Sequence, residues 1–187
     1  MEYNGIVEYA AAFGQEVADC VSKVSETEMQ RFYSDIKSAK RIFAYAPGRC
    51  GNLLRCFIMR LMHLGLEVYV VGDTTTPNIG EGDLLITAAA AGYNEGIASI
   101  ERRARGFGAK VVLFTIVSES LCAQNADYTV IIPGATAALG GIGHSIYPGG
   151  SLYEISMLCL LDGCMATLNR EMGDVLSHGV KRHANLE

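Results

Sequence analysis

Arg41-Ile42-Phe43-Ala44-Tyr45-Ala46-Pro47-Gly48-Arg49-Cys50-Gly51-Asn52-Leu53-Leu54 is a short apolar run, a turn holding two glycines, and the entry to an amphipathic stretch. The run reads as a buried strand. From Asn52 to Leu64, the residues Leu53, Leu54, Phe57, Ile58 and Leu61 recur at helical spacing, and Gly65 supplies a stop. Four further runs, 67–72, 83–88, 110–115 and 128–132, are nearly continuous in apolar residues rather than alternating. That is the pattern of parallel strands covered on both faces.

Helical patterns fill the intervals. Residues 94–107 form one, with Ile97, Ile100 and Ala104 inward and Glu101, Arg102, Arg103 and Arg105 outward. Helices at 6–25 and 28–38 precede the sheet, and a long apolar helix at 151–171 follows it, buried in the core or against another subunit. This alternation predicts an α/β chain, a three-layer α/β/α sandwich around a five-stranded parallel sheet of order 2-1-3-4-5. Nothing divides residues 1–187 into more than one domain. The helices at 5–38 and the helix and tail at 151–187 are the expected oligomer contacts.

The 187 residues are half apolar, which excludes a disordered chain, and carry a net charge of −5 with no long basic run, which disfavours nucleic acid as a partner. No apolar run reaches the roughly 20 residues of a bilayer span without interruption. The start, Met1-Glu2-Tyr3-Asn4, lacks a signal-peptide pattern. These features predict a cytoplasmic protein without a membrane partner. The six cysteines form no Cys-x-x-Cys pair, so neither a disulfide framework nor a metal site is expected, and Cys159 and Cys164 read as small core residues.

In the predicted strand order, ligands bind outside the carboxyl ends of strands one and three, where the chain reverses direction across the sheet. The loops there are 46–52 and 88–95. In the first, Gly48 and Gly51 let backbone N–H groups approach an anion at a helix N-terminus, and Arg49 can make a bidentate contact. An ordinary strand–helix turn with a salt-bridged Arg49 fits the same residues. The loop carries neither a dinucleotide fingerprint nor a Walker pattern. The facing loop, Ala88-Ala89-Ala90-Ala91-Gly92-Tyr93-Asn94-Glu95, offers backbone N–H groups and Asn94 as a helix cap.

Three further residues could carry chemistry. His63, with Asn52, Cys56, Met59 and Arg60, lies opposite the apolar stripe of its helix, where it could serve as a dipole partner or line a site. Glu154, in the first turn of the long apolar helix, could be a base among apolar neighbours or a favourable helix-start charge. Asp162 reads as a structural hydrogen-bonding residue. The glycine-rich stretch from Gly134 to Gly150, with His144, is either a lid or a crossover.

The stretches Met59-Arg60-Leu61-Met62-His63-Leu64-Gly65, Val68-Tyr69-Val70-Val71-Gly72, Thr76-Pro77, Gly80-Glu81-Gly82-Asp83-Leu84-Leu85-Ile86, Gly150-Ser151-Leu152-Tyr153-Glu154 and Arg182-His183-Ala184-Asn185-Leu186-Glu187 resemble the 6-phospho-3-hexuloisomerase family of sugar isomerase (SIS) domain proteins. The resemblance runs from about residue 5 to the end. It implies interconversion of 3-hexulose 6-phosphate and fructose 6-phosphate through an enediol, without metal or organic cofactor, in a homotetramer. Residue by residue, it implies Glu154 as the base, His183 as a group reaching a neighbouring subunit's site, His63 as a pocket residue and Arg49 as the arginine of the first loop.

The sequence departs from the family at both loops. Cys50 stands where the family has serine. Ala89-Ala90-Ala91-Gly92-Tyr93-Asn94 replaces Ser-Gly-Ser-Gly-Glu-Thr. Each lost neutral hydrogen bond is worth roughly 0.5–1.5 kcal/mol, so four losses amount to about a hundredfold in affinity or more. The phosphate contacts left are Gly48, Arg49, Cys50, Gly51 and Asn52 on one side and Ala89, Ala91, Gly92 and Asn94 on the other. The leading reading is a sugar-phosphate isomerase. The alternatives are a sugar-phosphate binding protein without turnover, an isomerase of a different or unphosphorylated sugar, and a redox role for Cys50 as a thiolate of lowered pKa.

Overall fold

The computed structural model describes residues 5–136, 141–176 and 182–186. Parts of the glycine-rich stretch (137–140) and of the C-terminal tail (177–181) lie outside them. Five strands, β1 (Ile42–Tyr45), β2 (Val68–Val70), β3 (Leu84–Ala88), β4 (Lys110–Thr115) and β5 (Tyr128–Ile131), form one parallel sheet of order β2-β1-β3-β4-β5. The order is the one the alternating pattern predicts. β1 sits between β2 and β3, with Phe43 opposite both Tyr69 and Leu85.

The helices are α1 (Ile6–Val21), α2 (Glu26–Ser38), α3 (Gly48–Leu64), α4 (Glu95–Gly106) and α5 (Ser151–Glu171). They divide unequally between the two sheet faces. Ile42, Ala44, Leu84, Ile86, Val112 and Phe114 point to a large core shared with Phe32 and Ile36 of α2, Leu54, Phe57 and Leu61 of α3, and Tyr153, Met157 and Leu161 of α5; Val17 and Cys20 of α1 close it. On the opposite face Phe43, Leu85 and Val111 pack with Ala104, and Leu113 with Ile97 and Ala98, so α4 is the main helical cover there.

Local chemistry moves several element boundaries away from those expected. α1 stops at Val21 because Ser25 is taken as the cap of the next helix: its side chain accepts the Glu28 N–H, and α2 begins at Glu26 rather than Glu28. α3 starts at Gly48, four residues before the expected Asn52. Pro47 is extended (φ −78, ψ 163) and serves as its N-cap, so most of the predicted turn is the first turn of the helix. Gly65 ends α3 in the left-handed conformation at φ 96.

Three side chains also depart from the expected pattern. Glu101 of α4, read as outward, is fully buried, with Oε1 accepting the Thr87 hydroxyl at 2.7 Å. Cys159, read as core, is exposed, whereas Cys164 is buried. Asp162 is also exposed and makes no hydrogen bond among the described residues, so the structural role expected for it is not seen. α5 is long and apolar enough, by length and composition, to cross a membrane. Its interrupted apolar run predicts otherwise, and half of its most apolar stretch is packed inside the chain, as befits a core helix.

Candidate active site

The carboxyl end of β1 leads through Ala46 and Pro47 into α3, and the first turn of α5 lies beside it. The N–H groups of Gly48, Arg49 and Cys50 precede the first intrahelical bond, from Gly51 N–H to the Pro47 carbonyl, and so have no partner within the helix. Gly51 is required here: a Cβ would fall 2.1 Å from the Ala46 carbonyl oxygen. The glycine lets α3 start against the end of β1, and that fixes where Arg49 projects. Asn52 is exposed on the same turn.

α5 is locked from the other side. Tyr153 is fully buried and donates its hydroxyl to the Phe114 carbonyl at 2.7 Å. Gly134 lies against it so closely that a Cβ would sit 2.7 Å from the Tyr153 Cα. With Tyr153 anchored in the core, the next residue, Glu154, faces the start of α3.

The two helix starts meet through side chains. Arg49 Nη1 donates to Glu154 Oε2 at 2.5 Å and to Ser151 Oγ at 2.9 Å. The Cys50 thiol lies 3.7 Å from Glu154 Oε1 and donates to it. The Glu154 side chain is 15 % exposed and that of Arg49 is 47 % exposed, so the carboxylate is sheltered and the cation faces solvent. Burial, then the Glu154 charge, pushes the Cys50 thiol up to about 12. This argues against the alternative of a Cys50 thiolate: the helix N-terminus and Arg49 are outweighed, and a neutral thiol is a poor nucleophile.

Ser151 is the site residue that sequence reasoning missed. Its signal was its place three residues before Glu154, one helical turn away and on the same face.

The third loop is differently built. The Ala89 N–H donates to the Phe114 carbonyl and the Gly92 N–H to the Ala89 carbonyl, both at 3.0 Å. Asn94 Oδ1 takes the Ile97 N–H and caps α4. Gly92 is in the left-handed region (φ 70) and packs on Ser120, whose Oγ lies 2.1 Å from where a Cβ would stand. Ala91 is half-buried, and none of these bonds uses its N–H.

The two histidines lie elsewhere. His63 is buried, 4 % exposed, although it lies opposite the apolar stripe of α3. His183 covers it, the two rings stacked 5.3 Å apart at 25°, and the Arg182 guanidinium lies over Gly65. Burial, then His183 and Arg60, lowers the His63 pKa. Fourteen residues of helix separate Arg49 from His63, about 21 Å at 1.5 Å per residue. One chain therefore brings Arg49, Cys50, Ser151 and Glu154 together, and His63 and His183 together, at opposite ends of α3. A cavity of about 410 Å³ lies on the α4 face between Phe43, Leu85, Ile100 and Phe107, and no residue of either cluster lines it.

Comparison with known proteins gives the family. The SIS domain model matches residues 35–158. A 3-hexulose-6-phosphate isomerase of Mycobacterium gastri is 37 % identical over 172 residues, 92 % of this chain and 86 % of the relative. A 3-hexulose-6-phosphate isomerase of Bacillus subtilis is 31 % identical over 96 % of this chain and 98 % of its own length. The crystal structure of a hypothetical protein from Methanococcus jannaschii, from which a 3-hexulose-6-phosphate isomerase function was inferred, superposes with a TM-score of 0.81 at 28 % identity, covering 96 % of this chain and 99 % of that one.

Proposed function

Because the chain belongs to the SIS domain family, we propose that it is a 3-hexulose-6-phosphate isomerase, interconverting 3-hexulose 6-phosphate and fructose 6-phosphate. The observation that carries this reading is a sheltered carboxylate, Glu154, held beside an exposed arginine and three helix-start N–H groups at the carboxyl edge of β1. The reaction needs those two things side by side: a base for a carbon-bound proton and a grip for a phosphate.

Glu154 takes the proton from C2 of the 3-ketose. The electron pair moves into a C2–C3 double bond, giving the 2,3-enediol. The same carboxyl returns the proton to C3, and the hydroxyl proton of O2 passes to O3. Arg49 and the N–H groups of Gly48, Arg49 and Cys50 hold the phosphate. The acid that moves the oxygen proton comes from the His63–His183 pair. Since the pair is about 21 Å from Arg49 along one helix, a neighbouring copy supplies it. Ile6 and Val7 of α1 are 90 % and 83 % exposed and Met59 of α3 is exposed as well, which favours association through these helices; the assembly proposed is a homotetramer in the cytoplasm.

A coupled assay for fructose 6-phosphate formed from 3-hexulose 6-phosphate tests the activity. Glu154→Gln should lower kcat by roughly 10²–10⁴-fold. Absence of turnover by the pure protein would refute the reading. If the phosphate still stabilises such an inactive protein thermally, the chain is a binding protein. Mixing Glu154→Gln with His183→Asn subunits should restore activity that neither has alone. Light scattering at four chain masses checks the tetramer.

A further inference from the structure

Both carboxylate oxygens of Glu154 are occupied: Oε2 accepts from Arg49 at 2.5 Å, and Oε1 accepts from the Cys50 thiol at 3.7 Å. Each oxygen keeps a further lone pair, but the two contacts hold the carboxylate turned toward the start of α3. The weak thiol contact is easily given up. The guanidinium contact, charge-assisted and short, is the one that restrains the base.

Arg49 is also the residue to which a phosphate would come. It is half-exposed, it stands at a helix N-terminus, and the facing loop offers no charged donor while two of its N–H groups are committed to its own backbone. The phosphate and Glu154 therefore compete for one guanidinium. The phosphate is a dianion that also receives the N–H groups at the start of α3, whereas Glu154 carries a single charge.

We propose that Arg49 is a phosphate-gated latch on Glu154, and thereby the residue that makes turnover depend on a phosphorylated sugar. Before the phosphate docks, the guanidinium holds the carboxylate. When the phosphate docks at the start of α3, the guanidinium transfers to it and Glu154 Oε2 is released toward the C2 proton. Ser151 accepts from the same Nη1 at 2.9 Å and marks the latched position. This inference rests on the isomerase reading.

The test separates the phosphate from the sugar. Unphosphorylated 3-hexulose is offered with and without phosphite dianion. The wild type should turn it over slowly alone, and phosphite should raise kcat/KM at least about tenfold in a saturable way. In Arg49→Met, phosphite should give no activation. A wild type that converts the phosphorylated sugar yet shows no phosphite activation, or an Arg49→Met variant that keeps it, overturns the latch.

A second readout needs no turnover. Infrared difference spectra on adding phosphite should show a shift of a carboxylate stretch that disappears in both Glu154→Gln and Arg49→Met. Absence of that shift in the wild type overturns the latch even in an active enzyme. A shift in a protein that does not turn over the phosphorylated sugar supports the latch and faults the isomerase reading alone.

Discussion

The loops after β1 and β3 leave the carboxyl ends of neighbouring parallel strands, yet the first sets three N–H groups beside an arginine and the third has committed those of Ala89 and Gly92 to its own backbone. At the start of α3, three N–H groups have no helical partner and Arg49 reaches outward. In the facing loop, Ala89 and Gly92 donate to neighbouring backbone and Asn94 caps its own helix. Both begin a helix after a parallel strand, and both contain a left-handed glycine, Gly48 at φ 62 and Gly92 at φ 70. The difference lies in what surrounds them. The first loop abuts the start of another helix and solvent; the third is stitched to Phe114 and to the segment around Ser120. A loop can grip a ligand only with the hydrogen bonds it has not already made.

The sharpest way to break this contrast is through the glycines. Gly51→Ala drives a Cβ into the Ala46 carbonyl, a backbone atom that no rotamer change can move. The start of α3 must shift, and Arg49 shifts with it. The expected cost is about 3 kcal/mol of stability together with about a hundredfold in kcat/KM, read by denaturant melts and steady-state kinetics. Gly92→Ala meets the Ser120 side chain and a left-handed backbone. It should cost about 1–3 kcal/mol of stability with a much smaller change in kcat/KM, because that loop packs more than it grips. Equal losses of activity in the two variants would erase the distinction.

Next in size is an effect beneath the third loop. Burial raises the Glu101 carboxyl from its ordinary 4.5 to about 7, opposed by the Thr87 hydroxyl. The folded state thus holds this proton more tightly than the unfolded chain. Its contribution is fully present below about pH 4.5, drains as the pH rises, and is lost above about pH 7. The span corresponds to about 3 kcal/mol at most. Glu101→Gln keeps a neutral acceptor for Thr87, so it should melt higher than wild type at pH 8 and lose that advantage as the pH falls to 4.5. An advantage that is flat with pH would contradict the burial argument.

The smallest effect sharpens the comparison from the other side. Ala91→Ser returns one hydroxyl to the facing loop at a half-buried position. One neutral hydrogen bond is worth roughly 0.5–1.5 kcal/mol, so KM for the phosphorylated sugar should fall about two- to tenfold. An unchanged KM would mean that the loop no longer faces the phosphate.

Much of this architecture is legible in the linear chain. Near-continuous apolar runs separated by helical stripes determine the parallel sheet and its order, because a strand covered on both faces must be apolar on both and chain reversal follows from short right-handed connections. The same order locates the crevice at residues 46–52, and the first turn of a long apolar helix draws attention to Glu154. What the linear chain does not display is who packs on whom. His63 occupies a position that a helical wheel assigns to solvent, and Glu101 lies at the border of the apolar face of α4, where only its charge argues for solvent. Glu101 is buried under the sheet by Thr87, and His63 by the ring of His183, 120 residues away in sequence. The partners of Arg49, the neutral state of Cys50 and the spent donors of Ala89 and Gly92 likewise arise from residues distant in sequence. Periodicity is local and survives in the sequence. Burial, ion pairing and the consumption of hydrogen-bond donors are set by neighbours that only the folded chain brings together, and for this protein those neighbours decide which of two similar loops holds the site.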